Sequence, residues 1–445
     1  MTQEEIAPIL VSLAVLLAVA HAFGFVAMKL RQPRFVGEIL AGVLVGPFVL
    51  GKISTGLSQD LLGKPGDATA VVLDFTSWLG LLLLMFVSGT EVRRVLAREQ
   101  RRPTAWILIV GTAVPFVIAF AISAAVPLHS VRGPRGRDIA LVVVLATAAA
   151  VTSIPVISRI FAELRILHTR FASLVLGTAM LEDIALFSAL ALATALAGSG
   201  QGSLAGEIVR STAVTVAYLV LGLRVAPLVL RRVNRLRINV LARRQRVAYA
   251  LLLMLGYAAL AALLDVNVVL GAFLAGFGLV GGMHGTERER FAAALDAVGR
   301  FAFATFVPLY FVLVGTRLNL GAGFSALVLL AFLFGTSALR MTFVAAASRF
   351  AGFGRTDALD LAVAMNARGG PGIVLATVAF DAGIIAPSLF TALVLTAVFT
   401  SQVAGWWLGS RLRSRGELLG EPITPPSTPA SARAREVPAA RPPGS

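Results

Sequence analysis

The chain has no cysteine, which excludes a disulfide framework and a thiolate metal site. Its four histidines, His21, His129, His168 and His284, are scattered, so no histidine metal centre is expected. Charge is scarce as well. Asp, Glu, Lys and Arg make up 14% of the 445 residues, against roughly 25% in a soluble domain. A soluble multidomain enzyme is thereby disfavoured. What fills the space is apolar: 57% of residues are hydrophobic and mean hydropathy is +0.85. The apolar residues come in blocks near the ~20 residues that a membrane-spanning helix needs. The acidic start MTQEE runs directly into the first block, without the basic opening and small-residue cleavage site of a signal peptide.

Breaks at Gly, Pro and charge divide the chain into thirteen expected spans, near 6–28, 35–50, 70–90, 104–127, 138–158, 170–198, 206–229, 247–264, 266–283, 300–316, 321–348, 357–381 and 386–410. The 264–266 break rests only on Asp265 and Asn267. Net charge is +16, yet nucleic acid is not the expected partner, because the basic residues sit in short gaps between apolar blocks. With the N-terminus outside, inner loops hold twenty-three basic residues and outer loops seven, as the positive-inside rule requires. The reading is an all-α polytopic protein in a bacterial-type inner membrane, with residues 1–410 as the transmembrane domain. Residues 411–445, rich in Pro, Ala and Arg, are expected to form a disordered cytoplasmic tail.

Four places break membrane rules. A charged group at mid-span costs roughly 2.5–3.5 kcal/mol on insertion scales, so such groups are functional candidates. The sixth span carries Glu182 and Asp183 in LEDIALFSAL. A carboxylate withdrawn from water favours its neutral form, whereas a nearby cation favours the ionised form. One oxygen site can then take a proton or a hard monovalent cation in turn, which is the minimum chemistry of an exchanger. Arg340 in the eleventh span is the expected charge partner; it keeps its proton and so cannot carry one. In the fifth span, Thr152 and Ser153 precede Pro155, which should interrupt the helix and leave carbonyls and hydroxyls free for a cation. In the twelfth, Arg368, Gly369, Gly370 and Pro371 make a matching break. Paired broken helices are the sequence pointer to a transporter's binding site.

An internal echo supports two halves. FVSGTEV closes the third span and VLVGTRL the tenth, placing Gly89-Thr90 and Gly315-Thr316 in corresponding positions of an expected inverted repeat. In the second span, Gly42 and Gly46 form a face for close helix packing. Glu38 beside them is expected either to reach water or to have an ion role.

TSIPVISRIFAELRIL, LEDIALFSAL and MNARGGPGIV together resemble the monovalent cation:proton antiporter superfamily, most closely its cation:proton antiporter-2 branch of NapA-like and Kef-like exchangers. The resemblance covers about residues 6–410. It implies thirteen helices, a dimerisation domain, and a core domain that moves like an elevator, with two broken helices crossing at the ion site. It further implies that Asp183 is the essential ion-binding aspartate, that Glu182 and Arg340 face each other, and that Thr152, Ser153 and Arg368 belong to the unwound segments. Glu in place of the usual first carboxylate, Arg in place of Lys, and Gly370 in place of a common acid depart from the family pattern. The expected activity is Na+/H+ exchange by a homodimer in lipid, without a cofactor and without enzymatic chemistry. K+/H+ exchange is the nearest alternative, Li+ a further possible cation, and a cation channel the alternative of another class.

Overall fold

The computed structural model describes residues 3–422 apart from 31, 65, 92–100, 168, 199–204, 236–238, 284–285, 322–323, 416 and 420. The expected tail beyond residue 422 therefore lies outside the described residues. Helices dominate. They are α1 (Gln3–Lys29), α2 (Arg34–Val45), α3 (Ala68–Glu91), α4 (Arg102–Ala125), α5 (Asp138–Ala150), α6 (Ile154–Glu163), α7 (Arg170–Gly198) and α8 (Thr212–Asn234). The second half contributes α9 (Arg246–Leu263), α10 (Val268–Gly281), α11 (Thr286–Ala304), α12 (Phe306–Thr316), α13 (Ala326–Phe350), α14 (Arg355–Met365), α15 (Gly369–Asp381) and α16 (Pro387–Arg415).

Among the described residues, eleven helical segments are long and apolar enough to cross a membrane. Two shorter apolar helices, α5 and α10, occupy the fifth and ninth expected spans. The tenth expected span is two helices, since α11 starts at Thr286 and meets α12 at Thr305. The break near residue 265 has two local causes. Asp265 adopts φ of 56°, and the Asn267 side chain caps α10 by accepting from the Val269 N–H at 2.9 Å.

Helix packing explains the glycines. A Cβ on Gly42 of α2 would collide with the Val312 carbonyl oxygen of α12, and one on Gly315 of α12 would collide with that of Ile39. The same pattern recurs between α3 and α10, where Gly89 faces the Phe273 carbonyl and Gly276 the Phe86 carbonyl. In both pairs each glycine meets the carbonyl three residues before the partner's glycine, so the backbones touch without side chains between them. Thr90 and Thr316 also match, bonding back to the carbonyls of Val87 and Leu313 at 2.7 and 2.8 Å. The second span thus packs on the tenth as the ninth packs on the third, the relation expected of a repeat whose halves exchange partners.

At one end of the bundle the loop before α5 pairs with the turn after α15. The Gly133 N–H donates to Ile384 O, and the Arg135 N–H donates to Gly383 O, both at 2.9 Å. This tie holds the two broken units, α5–α6 and α14–α15, side by side.

Candidate ion site

Three carbonyls at the centre of the bundle lose their helical donors, and each is reused. Pro371 has no N–H for Ala367, four residues earlier, and the Ala367 carbonyl instead accepts the Ser153 N–H at 2.8 Å. The Gly369 N–H turns to the Ser401 hydroxyl at 3.2 Å, which leaves the Met365 carbonyl to accept the Thr152 hydroxyl and Arg340 Nε, the latter at 3.3 Å. Pro115 deprives Gly111 in the same way, and that carbonyl takes Arg340 Nη1 at 2.5 Å. The breaks fall just before the prolines rather than at them. Val151–Ser153 interrupt the fifth span, and Pro155 enters the first turn of α6, where a missing N–H is harmless. Asn366–Arg368 interrupt the twelfth, with Pro371 inside α15. The two breaks cross in direct contact. Gly369, at φ of 31°, would place a Cβ onto the Val156 side chain and 2.8 Å from Ser153 Oγ, so any larger residue would push the crossing apart.

Glu182 and Asp183 are both fully buried on α7. Neighbouring helical residues point about 100° apart, and here they face different walls. Glu182 Oε1 pairs with Arg340 Nη2 at 2.6 Å, with both side chains at 0% exposure. The same carboxylate accepts the Thr112 hydroxyl, and its Oε2 accepts the Thr152 N–H at 3.1 Å. Arg340 completes its shell on Thr112 Oγ1 and Thr152 Oγ1, both at 2.9 Å. Asp183 turns toward α3, where its Oδ2 accepts from Ser88 Oγ at 3.5 Å. A cavity of about 350 Å³ reaches the Glu182 flank, lined in part by Thr112, Thr147, Val151 and Leu186.

The structure therefore brings together Glu182, Arg340, Thr152 and the Ser153 backbone, with Asp183 adjacent. The Ser153 hydroxyl acts locally, accepting the Val156 N–H at 3.4 Å as the cap of α6. Arg368 departs from its expected place as a second charge partner. Among the described residues it forms no ion pair, and its guanidinium lies over the Phe332 ring at 5.6 Å. Gly370 has open space beyond its Cα. Glu38 does not reach water; it is 3% exposed and paired with Arg34 at 2.8 Å, because that end of α2 is covered by α1. Thr112, Gly111 and Ser88 were not singled out by sequence reasoning. The signal for the first two was present: GTAVP puts a proline four residues after Gly111 in mid-span, and a π-helical stretch, Ile107–Ala113, forms there. Ser88 carries no such signal.

A family description, sodium/hydrogen exchanger, transmembrane, matches residues 12–413. The chain belongs to the sodium/hydrogen exchanger family. Among similar proteins, the Na+/H+-K+ antiporter GerN of Bacillus cereus is 24% identical over 88% of this chain and 93% of its own length. The Na+/H+ antiporter NhaS4 of Synechocystis is 26% identical over 89% and 95%. Cation/H+ antiporter 17 of Arabidopsis thaliana is 25% identical, and the chain spans about half of it, 48% of its length. The sodium proton antiporter MjNhaP1 of Methanocaldococcus jannaschii superposes with a TM-score of 0.65 at 15% identity, over 94% of this chain and all of that chain; the likeness establishes a shared fold. The crossed breaks and the buried acid pair fall within the matched residues.

Proposed function

We propose that the protein is a secondary antiporter that exchanges a monovalent cation, Na+ foremost, for protons, with Asp183 as the site the two ions share. The observation that carries this reading is the division of labour between two adjacent buried acids. Glu182 is paired with Arg340 and held by two further donors, so its carboxylate is engaged within the fold. Asp183 is the adjacent buried acid, turned toward α3, where its Oδ2 accepts from Ser88 Oγ at 3.5 Å. A proton and a hard cation are alternative ways to neutralise it in a medium where an isolated charge is costly. The printed names of GerN, NhaS4 and the plant relative support cation:proton exchange. K+ is the second cation to consider, since GerN's name includes it.

The transport cycle we infer is alternating access of the elevator type in a homodimer. The unit of broken helices would shift against a second unit that includes α2, α3, α10 and α12. The glycine-to-carbonyl seams between α2 and α12 and between α3 and α10 favour those four helices moving together, because close-packed backbones do not slide without separating. The membrane is taken to be a bacterial-type plasma membrane, with the C-terminus inside.

The test uses purified protein in liposomes containing a pH-sensitive dye, challenged in turn with Na+, Li+ and K+. Asp183→Asn is expected to abolish cation-driven proton movement while leaving thermal stability and oligomeric state near wild type. Coupled transport that persists in that variant refutes the assignment; cation flux that needs no counter-flow of protons indicates a channel.

A further inference from the structure

Arg368 is an ionic side chain that the exchange reading leaves without a task. It is 3% exposed, and Nε, Nη1 and Nη2 all lack a hydrogen-bond acceptor. Its guanidinium lies over the ring of Phe332. Elsewhere in the buried bundle, Glu38, Glu182 and Asp360 each meet an arginine. An arginine stays charged, and a buried charge without a counter-charge costs several kcal/mol.

The guanidinium borders a void of about 10 Å³, walled by Ala148, Val151, Leu186, Leu375, Leu393 and Ala397. A space of that size holds one body about as large as a water molecule. Water is the weaker occupant, because it would find donors on the guanidinium but no side-chain acceptor for its own hydrogens among the walls named. A small anion is a good one: the guanidinium supplies its charge and donors, and apolar walls suit a weakly hydrated ion. The thirteen-residue α15 starts at Gly369, directly after Arg368, and its positive end favours negative charge nearby. The backbone N–H groups of Arg368 and Gly369 are already engaged by Thr400 and Ser401, so the side chain supplies the donors. Access is also visible. Phe332 lines both this void and a larger apolar cleft of about 730 Å³ bordered by α4, α5 and α13, so rotation of one ring would connect them.

We propose that Arg368 holds a single small monovalent anion of the halide class in this void, at a site distinct from Glu182 and Asp183. The occupant neutralises the core of the crossed breaks and stabilises the folded protein. The test is thermal unfolding of the purified full chain in sodium chloride, sodium bromide and sodium gluconate, at equal Na+ and ionic strength. Chloride and bromide are expected to raise the melting temperature along a saturating curve, with gluconate inert. The folded-to-unfolded ratio should grow as one plus ligand concentration over Kd, about tenfold at nine times Kd. Arg368→Gln is expected to remove the halide response. Should that variant fail to fold, Ala397→Leu keeps the arginine, fills the void, and is expected to remove the response as well. Equal melting in halide and gluconate for the wild-type protein overturns the proposal and assigns the void to water. A halide response that survives in Arg368→Gln or in Ala397→Leu overturns it too. Because the readout is stability and not flux, its failure leaves the exchange reading untouched.

Discussion

The Arg340–Glu182 pair permits a thermodynamic test worked directly from its contacts. Arg340 spends its donors on Glu182 Oε1, Thr112 Oγ1, Thr152 Oγ1 and the carbonyls of Gly111 and Met365. Arg340→Met keeps much of the side-chain volume but leaves Glu182 buried without its partner and the Gly111 carbonyl without its arginine donor, while the Met365 carbonyl keeps the Thr152 hydroxyl. Breaking a buried pair by removing one partner costs about 3–5 kcal/mol, which is two to three and a half decades in the folded-to-unfolded ratio. Replacing both partners is a different perturbation, often neutral or stabilising by about 1–4 kcal/mol. Arg340→Met with Glu182→Leu should therefore recover most of the loss, less about 1–3 kcal/mol for the Gly111 carbonyl still unpaired. The assay is SDS-driven unfolding in mixed micelles for wild type, both single variants and the double variant, evaluated as a double-mutant cycle. Glu182→Leu alone should also destabilise, since it leaves the guanidinium uncompensated. A coupling energy under about 1 kcal/mol, or a double variant as unstable as Arg340→Met, refutes the claim that the two groups balance each other in the fold.

Three further outcomes follow from the same geometry. Thr152→Val should lower the maximal exchange rate and stability together, because its hydroxyl braces Arg340 and Met365, whereas Ser153→Ala should cost about 0.5–2 kcal/mol as a lost helix cap with apparent Na+ affinity unchanged; a selective affinity loss in either would make that hydroxyl an ion ligand instead. Exchange should be electroneutral, so that with K+ and valinomycin clamping the potential the Na+-driven rate is insensitive to voltage, and a reversal point that follows voltage would require Glu182 to carry a second proton. Arg317 joins Asp74 of α3 and Asp381 of α15 at 2.9 and 3.0 Å; these groups are partly exposed, so Arg317→Gln should cost under about 1 kcal/mol of stability yet change the transport rate if α15 moves relative to α3, and an unchanged rate would show that this bridge does not restrain the motion.

The sequence could be read furthest where covalent chemistry dictates backbone behaviour. Proline cannot donate, so Pro155 and Pro371 announced interrupted helices, and the interruptions fall within a few residues of them. The exact positions were not legible, because a proline early in a helix is as acceptable as one after a break. The Gly-Thr recurrence at 89–90 and 315–316 marked real equivalence, since a glycine that admits a neighbouring carbonyl is a local requirement. What the second glycine of each seam meets lies elsewhere in the chain, so Gly276 drew no notice. Pairing was the least legible property. Arg340 and Arg368 looked alike as mid-span arginines, and only the packed fold separates one with five acceptors from one with none. Thr112 and Ser88 were hidden for the same reason: hydroxyls are common in membrane helices, and what they face is decided by neighbours.

The charge arrangement explains why a site of this kind uses two acids where one would bind the cation. Consider Asp183 alone beside Arg340. The guanidinium would pair with it permanently, and the protein would hold a salt bridge instead of an exchangeable site, since separating buried partners costs several kcal/mol. With Arg340 absent and Glu182 present, two adjacent carboxylates would repel, and one would stay protonated to relieve the other. The observed set avoids both outcomes. Glu182 occupies the arginine, Thr112 and the Thr152 N–H fix that pair to α4 and to the first break, and the Met365 carbonyl ties it to the second. The pair is therefore a structural tie across both broken helices with no net charge. In the exchange reading proposed above, Asp183, one residue along and turned toward α3, would change its partner between proton and cation without altering what holds the crossing together. On that reading, separating the tie from the exchanged charge would let one acid trade its ion while the surrounding helices keep one arrangement.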